Sequence, residues 1–380
     1  MDPSEIAAPA DLWEQGLSFQ PVLPPPGIPA PVCPDGQGGW RLRIAAPGAG
    51  SVELQTEDGN QPFVRDSDGL WQAELPFRHG FHYVHLLIDG TDVLWPYLPV
   101  SYGYSRPCNY VELPQEDDGF YRLRDVPHGK LLRDRFYSAV TSEWQGCTVY
   151  LPPGAERAEA PLPVLYLQHG HGENETSWAT AGRVDLILDN LIAEGGCVPF
   201  AVVMLNGMVQ TLVDGRRTVD FTLLEDVLLR DALPFAEERY GLGGSRERRA
   251  MAGLSMGSLQ TSIIGFSHPE LFCALGIFSG FLHDWIRGSE IDMIPRGPGD
   301  DRHLALLEDP RRFDRAFDVF FRAMGEEDPF LPRFEEDDRL CLAAGVRQIR
   351  RLYPGGHNWN VWRRCLRDFA GLIFRGPQKE

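Results

Sequence analysis

The chain has 380 residues, of which 43% are hydrophobic and 24% charged, and its formal net charge is −18. That length allows two domains, or one large domain with an appendage, and the composition is that of a soluble globular protein. No stretch approaches the ~18 uninterrupted apolar residues of a membrane span, and so acidic a chain repels phosphate backbones and anionic surfaces, which argues against nucleic-acid and membrane partners.

Residues 1–19 read as an N-terminal extension. They carry Asp2, Glu5, Asp11 and Glu14 and no basic residue. They therefore lack the basic and apolar regions of a signal peptide. Seven cysteines, without a C-x-x-C pair, read as reduced thiols. Both features point to a cytoplasmic location, or to a secreted protein whose leader was removed.

Residues 21–35 are proline-rich (Pro21, Pro24, Pro25, Pro26, Pro29, Pro31, Pro34) and predict an extended entry segment. Short strands follow. Trp40, Leu42 and Ile44 alternate, as do Val52 and Leu54. Leu70 to Leu75 follows the Asp66-Ser67-Asp68-Gly69 turn. Phe81 to Ile88 ends at Asp89-Gly90, and Val93-Leu94-Trp95 makes a hairpin partner. Strands this short and evenly spaced predict a β-sandwich over residues 20–114.

Residues 114–120 read as a polar linker, after which the pattern changes. Two strands are predicted within 130–151 and buried strands at 163–168 and 200–204. Helices are predicted at 184–194 and at 223–239, the latter despite Pro234. A strand at 250–254 leads into a helix at 258–266, and a strand follows at 274–279. Residues 301–315 look helix-rich. A strand at 316–324, a helix at 335–344, a strand at 346–353 and a helix at 359–374 complete the chain. Strands alternating with helices predict a parallel sheet covered on both faces over residues 115–380.

The sequence Gly253-Leu254-Ser255-Met256-Gly257 sits between a predicted strand and a predicted helix. That is the setting in which Gly-x-Ser-x-Gly forms a nucleophile elbow. The turn brings neighbouring backbone close to the residues two before and two after the serine, and glycine tolerates that approach. Ser255 would stand at a helix N-terminus, where backbone N–H groups favour developing negative charge.

A nucleophilic serine needs a base and an orienting acid, in the chain order Ser, Asp or Glu, His. His357 lies in the glycine-rich loop Pro354-Gly355-Gly356-His357-Asn358, after the last strand, and no other histidine follows His303. Imidazole ordinarily titrates near working pH, which suits a proton shuttle. The acid lies in Gly325-Glu326-Glu327-Asp328. Asp328, Glu326 and Glu327 all precede His357, and order alone leaves them open. The oxyanion hole would combine the Met256 N–H with one from His169-Gly170-His171-Gly172, the His171 N–H. Gly170, Trp178, Asn206 and Trp359 lie on loops at the expected carboxyl edge of the sheet and are expected to line the substrate site. His79, His82 and His85 recur every third residue on a predicted strand, so neighbours in the series face opposite sides and make a poor metal site. No metal or organic cofactor is implied.

Several stretches together resemble the esterases of carbohydrate esterase family 1, of feruloyl-esterase, acetyl-xylan-esterase and esterase-D type. They are Leu165-Tyr166-Leu167-Gln168-His169-Gly170-His171-Gly172-Glu173, residues 186–194, Arg249 to Gly257 and Gly355-Gly356-His357-Asn358-Trp359. The resemblance implies an α/β-hydrolase fold and favours Asp328 as the acid, through the family's Gly-x-x-Asp loop. The first domain resembles the early-set, immunoglobulin-like sandwich of family-48 carbohydrate-binding modules, through Asp68-Gly69-Leu70-Trp71 and Phe81-His82-Tyr83. Ser258 and His171 stand where the family often has glycine. The resemblance implies a serine esterase acting on a small-molecule or oligosaccharide ester, with feruloyl esters first, acetyl xylan or a siderophore trilactone as alternatives, and a homodimer left open. The competing class is a non-catalytic carbohydrate-binding or acyl-carrying protein.

Overall fold

The computed structural model describes residues 28, 30–56, 59–283 and 301–376. The N-terminal extension 1–19 and Pro21, Pro24, Pro25, Pro26 and Pro29 lie outside these residues. The chain divides into two compact units between Leu123 and Arg124, so the polar stretch 114–120 belongs to the first.

The first unit consists of antiparallel strands. One sheet holds four strands, including Trp40–Ile44 and Trp71–Glu74. The other holds six, including Val52–Thr56, Gly80–Ile88 and Arg106–Leu113. Leu42, Ile44, Val52, Leu54, Val84 and Leu86 alternate inward and form the shared core. Gly80–Ile88 pairs with Thr91–Val93 across Asp89 and Gly90, whose φ values of 50° and 76° give the turn that suits a two-residue hairpin. Leu94 and Trp95 lie beyond this strand. The buried amide of Asn109 holds their loop instead. It accepts from the Trp95 N–H at 2.6 Å and donates to the carbonyls of Trp95, Leu98 and Pro99. His82 stacks on Phe77 and bonds the His79 carbonyl, while His85 Nδ1 accepts from Arg106. The His82 and His85 rings thus have separate partners.

The second unit is built on one eight-stranded sheet. Its strands are β1 (Lys130–Ser138), β2 (Glu143–Leu151), β3 (Val164–Gln168), β4 (Ala201–Leu205), β5 (Arg249–Leu254), β6 (Ala274–Phe278), β7 (Val319–Gly325) and β8 (Ile349–Tyr353). Their spatial order is β1-β2-β4-β3-β5-β6-β7-β8. β1, β2 and β4 pair antiparallel, and all later neighbours are parallel. β3, β4 and β6 are buried along their whole length, as their unbroken apolar runs require. Val164 and Tyr166 join the larger core cluster on one face, and Leu165 and Leu167 are buried on the other. This is the α/β-hydrolase fold. The order reverses beside β3, where the chain leaves for β4 on one side and β5 on the other. Ligands of such sheets bind at the carboxyl ends of strands beside that point.

The helices of the second unit include α1 (Val184–Ala193), α2 (Leu233–Tyr240), α3 (Met256–Ser267), α4 (Pro310–Ala316), α5 (Leu331–Ala344) and α6 (Trp359–Ala370). Pro234 is accommodated because a wide π-type turn, Leu228–Ala232, precedes it. The strand expected from residue 316 begins at Val319, because Ala316 still closes α4. The strand expected from 346 begins at Ile349, because Gly345, with φ 70°, ends α5 in the left-handed conformation.

Candidate active site

Ser255 sits between β5 and α3 with φ 50° and ψ −117°. A serine held there is strained, and such strain persists only where the surroundings over-determine it. Three features do so. The Ser255 N–H donates to the Phe278 carbonyl of the next strand at 3.0 Å. A Cβ on Gly253 would enter the Gly257 carbonyl, and one on Gly257 would enter the His169 carbonyl. Both glycines of the motif are thus fixed by backbone approach. Ser258 donates from Oγ to the Ser255 carbonyl at 2.5 Å. Its extra atoms fit because Gly280 stands opposite. A Cβ at 280 would overlap Ser258 Oγ.

His357 Nε2 lies 3.0 Å from Ser255 Oγ, and His357 Nδ1 lies 2.9 Å from Asp328 Oδ2. A carboxylate only accepts, so Nδ1 carries the proton. Nε2 is then left to accept from the serine hydroxyl. Asn358 caps α6 through the N–H groups of Asn360 and Val361 and so fixes the loop that carries His357. The ring packs edge-on against Trp362 and Phe330, with centroids 5.1 and 5.2 Å away. The Asp328 carboxyl is fully buried, and its Oδ1 accepts from the Phe330 N–H at 3.0 Å. Glu326 and Glu327 are exposed. Burial therefore separates the three candidate acids that chain order left open. Gly325 permits the approach of the two loops, because a Cβ there would enter the Gly355 carbonyl.

The loop after β3 passes beside the nucleophile. A Cβ on Gly170 would lie 3.4 Å from Ser255 Cβ and 2.7 Å from Leu254 Cδ1. Residues 170–173 form a turn closed by the Glu173 N–H on the Gly170 carbonyl at 3.3 Å, with Gly172 at φ 76° as a type II turn demands. His169 pins the same carbonyl from the other side. Its Nδ1 donates to the Gly170 oxygen at 2.8 Å, and its Nε2 accepts from the Gly207 N–H at 2.9 Å. Complete burial depresses His169 to about 4, so the ring stays neutral in this tautomer at working pH. A trans peptide is planar, with C=O and N–H opposed. Fixing the Gly170 carbonyl therefore fixes the direction of the His171 N–H. Among the described residues, no protein acceptor takes the backbone N–H of His171 or of Met256, the first residue of α3.

Two expected substrate contacts are corrected. Trp178 and Trp359 are only 1% and 2% exposed. They meet edge-to-face at 5.0 Å, and their indole N–H groups donate to the Gln168 carbonyl and to Glu173 Oε1. They support the loops from beneath and do not line a surface. Asn206 turns the chain after β4, with its Oδ1 accepting from the Met208 N–H at 3.0 Å. Sequence reasoning missed His169 and Glu173 as organisers of this loop. The available signal was a histidine and an acid flanking a Gly-x-Gly turn without a nearby basic partner. A further cluster, Met208, Phe221, Met256, Leu259 and Phe281, with Phe330 packed against it, gives the nucleophile an apolar and partly aromatic neighbour.

The sequence profile of the family described as "Putative esterase" matches residues 138–371. An endo-1,4-beta-xylanase/feruloyl esterase of Xylanibacter ruminicola is 33% identical over 355 residues, covering 89% of this chain. The chain spans 45% of that relative's length. Among solved structures, a ferulic acid esterase superposes with TM-score 0.55 at 27% identity, covering 65% of this chain and 98% of the other. A CE1 ferulic acid esterase from Anaeromyces mucronatus, in complex with ferulic acid, gives 0.57 at 20% identity, covering 68% and 96%. An enterobactin esterase from Shigella flexneri gives 0.61 at 15% identity, covering 88% and 92%. The profile spans well over half of the chain, which therefore belongs to this esterase family.

Proposed function

We propose that the chain hydrolyses hydroxycinnamate esters, chiefly feruloyl esters on plant cell-wall oligosaccharides. In this reading Ser255 Oγ attacks the ester carbonyl and passes its proton to His357 Nε2. The tetrahedral oxyanion accepts from the Met256 and His171 N–H groups. The carbonyl re-forms as the bond to the alcohol breaks, and His357 returns its proton to that alcohol. Water, deprotonated by His357, then attacks the feruloyl-serine, releases ferulate and restores Ser255. Asp328 orients the imidazole and stabilises its charged form. Each preorganised oxyanion donor is worth about 2.7–4 kcal/mol of barrier.

The observation that carries this reading is the continuous relay Ser255–His357–Asp328, at 3.0 and 2.9 Å, on a strained elbow. All three groups belong to one copy of the second unit, so turnover needs no partner chain. The acyl preference is supported by the 33% identical relative, whose match extends over 89% of this chain. Phe330, half-buried and edge-on to the His357 ring, also offers an aromatic surface beside the relay to a planar acyl group. Seven cysteines, six of them buried, support a reducing compartment. Among the described residues, no helix is long and apolar enough to cross a membrane.

The test is competition within one molecule. An arabinoxylan oligosaccharide carrying both feruloyl and acetyl groups is incubated with the enzyme, and both acids are followed in time. Preferential ferulate release is expected. Preferential acetate release would convert the reading to a deacetylase. Release of neither, with rapid cleavage of a catecholate trilactone, would favour the siderophore esterase instead, whose fold likeness extends over 88% of this chain.

A further inference from the structure

Glu173 stands out among the charged groups near the site because the relay does not use it. It is 7% exposed, in the turn after β3. One carboxylate oxygen accepts from the Gly170 N–H at 3.2 Å, and the other accepts from the indole N–H of Trp359 at 3.0 Å. Gly170 belongs to the loop that holds the His171 N–H. Trp359 begins α6, two residues after His357. A single side chain thus fastens the loop of one oxyanion donor to the loop of the general base.

Electrostatics makes the choice of residue informative. A Cβ on Gly170 would lie 3.4 Å from Ser255 Cβ and 3.7 Å from Glu173 Oε2. The carboxylate is therefore within about 7 Å of the nucleophile's Cβ. A negative charge there opposes the oxyanion that forms during acyl transfer. If charge were its contribution, the enzyme would gain by losing it. Geometry supplies the alternative. Two N–H donors converge on this side chain, and only a carboxylate offers an acceptor to each. An amide of the same shape keeps one acceptor and turns its NH₂ toward the other donor.

We infer that Glu173 is a positioning residue for the oxyanion hole. Its grip on the Gly170 N–H withdraws that donor, and with the His169 contact to the Gly170 carbonyl it sets the peptide that presents the His171 N–H. This inference rests on the proposed serine-esterase reading. Its effect belongs to the transition state, because the donor it aims binds the oxyanion and not the ground-state carbonyl.

The test uses Glu173→Gln in the full chain, with Trp359→Phe as a second variant that deletes the indole donor and keeps an aromatic ring. Three quantities are read with methyl ferulate: kcat, KM, and the inhibition constant of an aryl trifluoromethyl ketone that forms an oxyanion on Ser255. Glu173→Gln is expected to lower kcat about 10²-fold, the loss that follows about 1 Å of misplacement. KM and inhibition by free ferulate should change less than about threefold, as loss of an interaction made only in the transition state requires. Affinity for the ketone should fall in parallel with kcat. Trp359→Phe should move the same quantities in the same direction by a smaller factor, and it keeps the test available should Glu173→Gln fail to fold. A Glu173→Gln enzyme as fast as wild type, or faster, would overturn the inference, as would a fall in kcat with ketone affinity unchanged. Fluorophosphonate labelling separates the two levels. Failure to label Ser255 in wild type removes the underlying reading, whereas normal labelling with an unaffected variant removes only the role of Glu173.

Discussion

Ser255→Ala is expected to abolish ester hydrolysis, with kcat falling about 10⁶-fold. Without Oγ there is no acyl-enzyme, and the remaining rate comes from binding and the oxyanion donors, about 10³–10⁴-fold above water. The loss should be the same in Ser255→Ala and in Ser255→Ala combined with His357→Ala, because the two groups act as a unit. The fold should persist. The elbow is held by the 255–278 backbone bond and by the glycine contacts at 253 and 257, none of which uses Oγ. A chromogenic ferulate ester and a thermal melt read both statements. Turnover within tenfold of wild type would remove Ser255 from the chemistry.

Asp328→Asn is the next largest effect, a loss of about 10⁴-fold in kcat. The substituted amide keeps an oxygen able to accept from the Phe330 N–H, so the loop should hold its shape. It presents its N–H to His357 Nδ1, which must then accept, and the ring's proton moves to Nε2. In that tautomer Nε2 cannot take the serine proton at 3.0 Å. Glu326→Gln and Glu327→Gln are the controls. Both residues are exposed in the same loop, and each change should leave kcat within about twofold, as surface substitutions usually do. A larger loss in either control than in Asp328→Asn would reassign the acid.

The parts of the site that were legible in sequence were those where chemistry restricts residue type. Gly253 and Gly257 are glycines because backbone atoms occupy the Cβ positions, and a motif with that cause is readable. His357 was readable from chain order and from its glycine-rich loop after the last strand. Asp328 was not separable from Glu326 and Glu327 by order. Only burial distinguishes them, since the turn after β7 points one side chain inward and two outward. Trp178 and Trp359 were misplaced for a general reason. A loop position at the carboxyl edge allows a ring to face substrate or to face the core, and local pattern does not choose between them. Their indole donors found acceptors at Gln168 and Glu173, which drew both rings inward. In the first unit, Val100–Gly103 and Arg106–Leu113 escaped notice because the inward run includes the polar Asn109, whose burial is compensated by four hydrogen bonds.

The most direct test of the central claim is the covalent intermediate itself. The wild-type enzyme is mixed with excess methyl ferulate, stopped with acid during turnover, and digested for mass spectrometry. A feruloyl adduct is expected on the peptide that contains Ser255, and it should be missing from Ser255→Ala treated in the same way. Steady hydrolysis of the ester with no adduct on that peptide, or an adduct that persists in Ser255→Ala, would contradict the account.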